Sequence, residues 1–92
     1  MRGEFEVAVS GVNLYLKSKG RKYLYQDDLN FILENSPELI HVIFDYIGMT
    51  VGDVRWYINK VGSLNVGDLY SDWNVECLKL HFSYLRNEVL NT

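Results

Sequence analysis

Cysteine is almost absent from this chain of 92 residues, and the single thiol, Cys77, leaves no internal disulfide to form. The fold therefore draws nothing from an oxidising compartment. No run of eighteen apolar residues occurs, and the opening MRGEFEVAVSG lacks the roughly 7–15-residue apolar stretch of a signal peptide. These absences point to a soluble, cytoplasmic protein. Basic charge is scarce as well. Nine Lys and Arg against twelve Asp and Glu give a net charge of -3, and affinity for nucleic acid in general is opposed because it comes from neutralising phosphates.

What the chain has is apolar content, 48% of residues against 23% charged. That is enough to offset the ordering entropy that keeps polar chains unfolded. Residues 1–92 make a single domain with one modest core, since a chain this short buries only about two-thirds of its unfolded surface.

Residues 4–9 alternate, with Phe5, Val7 and Val9 on one side and Glu4, Glu6 and Ala8 on the other, the period-2 pattern of a half-buried strand. Ser10-Gly11-Val12-Asn13 has turn composition, and LYLKSKGRKYLY (14–25) reads as two arms around a Lys19-Gly20 turn. Together they predict an antiparallel β-meander. The competing reading is one amphipathic helix over 5–18, which Gly11 weakens by about 1 kcal/mol.

Helices follow. Asp27 or Asp28 is placed to cap a short one carrying Leu29, Ile32 and Leu33, ending by Ser36. Ser36-Pro37-Glu38 starts the next, because proline is harmless at the first helical position and an acid suits the positive dipole end. Its apolar stripe is Leu39, Val42, Ile43, Tyr46 and Ile47, with Phe44 off the stripe and Gly48 as the stop.

TVGD at 50–53 and NVGD at 65–68 form a near-repeat that invites a ligand-loop reading. A phosphate loop needs further glycines and a calcium loop needs a second acid two residues on, and neither is present. The spacing instead suits a capping box, in which Thr50 and Asp53 each bond the other's backbone N–H. The helix so begun carries Val54, Tyr57, Ile58 and Val61 inward and closes at Gly62. Asn65 and Asp68 are expected to repeat the device.

From Asp72 to about Leu90 runs the longest periodic segment, with Val75, Leu78, Phe82, Leu85 and Val89 on one face. Trp73, Cys77, Leu80 and Tyr84 gather in a second stripe roughly 150° away. A helix apolar on two sides either passes through the middle of the fold or offers one side to another molecule. Trp56 and Phe44 also fall on faces expected to be wet, and aromatic side chains are the usual anchors of interfaces. Trp73, Leu80, Tyr84, Trp56 and Phe44 are therefore the candidate partner-binding residues.

A second cluster concentrates four of the nine basic residues, Lys17, Lys19, Arg21 and Lys22, beside Tyr23. On a hairpin either common loop length sets like charges opposite one another, which Glu4 and Glu6 on the neighbouring strand or plain solvation of the loop tip would relieve, or else a nucleic-acid backbone whose bases stack on tyrosine. Catalytic equipment is thin. Cys77 and His81 stand four apart on one helix, but a zinc site needs three or four ligands, and no metal or cofactor is expected.

The sequence thus predicts an α+β fold, a small N-terminal antiparallel β-meander followed by four or five short helices with a long C-terminal helix packed centrally. It predicts a non-enzymatic module that binds another protein, or a second copy of itself as a homodimer, in the manner of an inhibitor, immunity protein or virus-encoded anti-defence factor. Nucleic-acid binding by the 17–22 hairpin is the alternative.

Overall fold

The computed structural model describes residues 2–91, with side chains described for 3–88. Five α-helices and one 3-10 helix follow in order: α1 Arg2–Ser18, α2 Gln26–Asn35, α3 Pro37–Ile47, α4 Val51–Val61, the 3-10 helix Val66–Tyr70 and α5 Asp72–Asn91. Among the described residues there is no strand; one isolated antiparallel bridge joins Leu24 to Leu64. The α+β expectation is overturned, and the fold is all-helical.

The meander fails at its first element. Residues 2–18 form α1, whose buried residues are Phe5, Ala8, Val9, Val12 and Leu16. That is helical spacing, and it leaves Val7, an inward residue on the strand reading, 70% exposed. Alternation over six residues misleads here because Phe5 and Val9 lie on one side in either conformation. Gly11, which argued against a helix, has a packing role. A Cβ there would stand 3.3 Å from Leu39 Cδ1, so the missing side chain lets α3 approach α1 closely and offsets glycine's entropic cost.

The Lys19-Gly20 turn is real but closes a helix rather than a hairpin. Arg21 N–H donates to Leu16 C=O at 2.9 Å and Gly20 N–H to Lys17 C=O at 3.0 Å, with Gly20 at φ 71°. This is the Schellman arrangement that satisfies the last carbonyls of a helix. A left-handed glycine serves hairpins and helix ends equally, so composition could not separate them.

Elsewhere local signals place the boundaries. Pro37 opens α3 and Gly48, at φ 76°, ends it. Thr50 accepts from Asp53 N–H at 3.0 Å while Asp53 accepts from Thr50 N–H at 3.1 Å, and α4 runs to Gly62. The echo at 65–68 differs: Asn65 makes no side-chain cap bond and a 3-10 helix follows. At α2 neither acid is the cap residue. Asp28 sits at the third helical position and accepts from Tyr25 N–H at 3.2 Å. Val61, expected inward, is exposed.

The centre of the molecule is α3. Ile40, Ile43, Phe44 and Ile47 are buried, and Leu39 and Val42 pack partly buried against the same cluster. Helix α1 covers one side, where Phe5 stacks on Tyr46 with ring centroids 4.1 Å apart, and α2 covers another. The long C-terminal helix is not central. It lies against the 3-10 helix through Val75 and Leu78, with Phe82 and Leu85 partly buried; Val89, assigned to that face by its spacing, lies outside the described side chains. Among the described residues no helix is long and apolar enough to cross a membrane.

Candidate protein-binding face

The outward side of α5 carries Trp73, Leu80 and Tyr84, exposed to 75%, 70% and 61%, with Cys77 exposed among them. Positions 73, 77, 80 and 84 step by 4, 3 and 4, so helical geometry puts all four along one line of the surface. The opposite side of the helix is held by the core, which fixes this line outward. The Glu88 carboxylate one turn on raises the Tyr84 phenol above its ordinary pKa, through hydrogen bonding and charge.

The two remaining candidates lie elsewhere. Phe44 is 2% exposed, in the core of α3. The sequence assigned it to a wet face because α3 was expected to bury one stripe; two neighbours cover it, and the buried arc extends past Ile40 to Phe44. Trp56 is half-buried between α4 and α5. Its ring meets Phe82 edge-on at 5.8 Å, and Lys60 and Arg86 lie over it at 5.6 and 5.2 Å. Phe82 is nine residues from Trp73, half a turn around α5 at 100° per residue, so Trp56 belongs to the inner joint and not to the outer stripe.

The basic cluster survives without its hairpin. Lys17, Lys19, Arg21, Lys22 and Tyr23 are exposed around the end of α1, where cations are favoured by the helix dipole rather than set against one another. Arg21 is already engaged: Nη1 donates to Asp28 Oδ2 at 2.7 Å and to Asp27 Oδ1 at 3.1 Å, and the guanidinium lies 5.3 Å from the Tyr25 ring centre. Its hydrogen bond holds the Asp27 carboxyl below the usual range. Lys19 lies 5.8 Å from the centres of the Tyr15 and Phe31 rings. Lys17, Lys19 and Lys22 are what the cluster presents to an external anion.

Asp28 went unrecognised as more than a helix-start acid. It is a buried carboxylate, accepting from Arg21, from Tyr25 N–H and from the Tyr15 hydroxyl at 3.3 Å. Burial and the charge of Asp28 push the Tyr15 phenol up. The signal available was an Arg six and seven residues before a pair of acids.

A cleft of about 230 Å³ between α4, the 3-10 helix and α5 is lined by Tyr57, Asn65, Asp68, Asn74, Cys77 and His81, among others. The Tyr57 hydroxyl and His81 Nδ1 are 2.9 Å apart. This bond commits the imidazole that the sequence paired with Cys77, and burial raises the Tyr57 phenol. Among the described residues no three His, Cys, Asp or Glu side chains converge as metal ligands would.

The chain matches no protein-family model, no curated protein and no solved structure.

Proposed function

We propose that this protein is a non-enzymatic binding module that acts in the cytoplasm by laying the outer face of α5 on the surface of another protein. The observation that carries the reading is the alignment of Trp73, Leu80 and Tyr84, each more than half exposed, on one helix face. Burying side chains of this size is worth about 1.5–3 kcal/mol each. Three in one line supply an anchor of the kind that dominates interfaces. A cytoplasmic setting suits the exposed Cys77 beside them, which oxidising conditions would cross-link.

Trp56 and Phe44 take no part in this reading. The nucleic-acid alternative rests on Lys17, Lys19, Lys22 and Tyr23, and is weakened by the engagement of Arg21 with Asp27 and Asp28.

The test is capture from a lysate of cells that make the protein, with and without nuclease, comparing wild type with a Trp73→Ala/Leu80→Glu variant. One stoichiometric protein that survives nuclease and is lost with the variant is the expected result. Recovery of nucleic acid alone would move the function to the α1 end. Dimeric wild type and monomeric variant in sedimentation would make the face a contact between copies instead.

A further inference from the structure

A second surface, separate from α5, carries an inference of its own. Between α1 and α3 runs a furrow of about 600 Å³ lined by Gly3, Glu4, Val7, Ala8, Glu38, Leu39 and Val42. It exists because α1 offers only small side chains at Gly3 and Ala8, so the two helices meet closely at Gly11 and Leu39 and leave an open channel beside that contact. Its apolar surface is Val7, Ala8, Leu39 and Val42. Val7 is 70% exposed although it stands on a helix with a complete buried face of its own.

The rim is acidic. Glu4 and Glu38 border the furrow, and Asp45 shares with Glu4 and Val42 a smaller hollow that continues it. Glu38, Val42 and Asp45 follow at intervals of four and three on α3, so the acids flank the apolar step. None of these three carboxylates has an ion pair or side-chain hydrogen bond among the described residues. Among the described residues the furrow's lining contains no Lys, Arg or His.

We propose that this furrow receives an amphipathic helix of another protein, with apolar residues on the floor and Lys or Arg residues meeting Glu4, Glu38 and Asp45. Helices seat in such channels through anchors at i, i+3 or i+4, and i+7, and the volume holds more than one leucine-sized side chain. Charge selects the occupant. An anionic bilayer would be repelled by the rim. A second copy docking the same patch by two-fold symmetry would gather the carboxylates of both copies in one contact, with no cation from the described lining to offset them. A cationic helix turns all three into partners.

The test uses a fluorescein-labelled 18-residue helix of Leu and Lys at helical spacing and a matched Leu/Glu peptide, with amide shifts to locate binding. The Leu/Lys peptide is expected to bind, to shift Val7, Ala8, Leu39 and Val42, and to weaken as salt rises. Its affinity should fall at least about tenfold in Glu4→Lys/Glu38→Lys, because attraction becomes repulsion. Val7→Arg, at an exposed position, blocks the channel should the charge reversal fail to fold. Trp73→Ala/Leu80→Glu should bind the peptide as wild type does, so failure of the α5 reading leaves this result intact. No binding, equal binding by the Leu/Glu peptide or by the folded furrow variants, shifts centred on α5, or capture by phosphatidylglycerol vesicles in place of the peptide would overturn the proposal.

Discussion

Helices α3 and α5 are both apolar on more than one side, yet the fold treats them oppositely. On α3 the arc through Ile40, Ile43, Phe44 and Ile47 is covered by α1 and α2. On α5 the arc through Val75 and Leu78 is covered, while Trp73, Leu80 and Tyr84 face outward. Two apolar faces are therefore no measure of centrality. A helix becomes central when neighbours close on both sides, and α3 has them because α1 can approach at Gly11 and α2 follows α1 through a turn pinned by Arg21 and Asp28.

The largest expected effect probes the covered helix. Phe44→Ala empties a site in the middle of the core and should cost about 3–5 kcal/mol in urea denaturation. A loss below 1 kcal/mol would mean that Phe44 is as free as the outer residues of α5, and the contrast would collapse. Next comes the inner face of α5. Leu78→Ala is expected to cost about 2–3 kcal/mol, toward the low end for a core leucine because the helix is packed on one side only.

A pH measurement sharpens the account of how α2 is held over α3. Arg21 holds the Asp27 carboxyl below its ordinary range. The folded value is therefore lower than the unfolded one, near 4. The contribution is present above about pH 4 and is lost as pH falls through the lowered value. Relative to wild type, Arg21→Gln should be less stable at pH 7, with the gap narrowing in acid. A gap that is flat from pH 7 to pH 2 would show that the pair does not act this way. The smallest effect belongs to the outer face: Leu80→Ala should change stability by less than about 0.5 kcal/mol. A loss matching that of Leu78→Ala would place Leu80 in the core and remove the open stripe.

Much of the fold from residue 36 to residue 91 was legible. Pro37, Gly48, the Thr50–Asp53 box and Gly62 bound α3 and α4, and the periodic run from Asp72 outlines α5. The N-terminal third was misread. Phe5, Val7 and Val9 fit alternation over too short a stretch to outweigh the longer helical set Phe5, Ala8, Val12 and Leu16, and Gly11 looked like a break because its partner, Leu39, is twenty-eight positions away in the sequence. For the candidate face, the line of Trp73, Cys77, Leu80 and Tyr84 was readable as a line. The exclusion of Trp56 and Phe44 was not, since one depends on Phe82 and Arg86 crossing from another helix and the other on α1 and α2 both reaching α3.

By itself the sequence determined the stops and starts: caps, the N-terminal proline of α3 and left-handed glycines act on backbone groups within about four residues, so their effect is complete before the chain has a tertiary shape. It also determined which side chains share a helix face, because helical pitch is the same in every protein. Only the tertiary structure decided which of those faces are covered. Burial is a property of two surfaces, and the second one comes from a distant segment whose approach a single glycine on α1 permits.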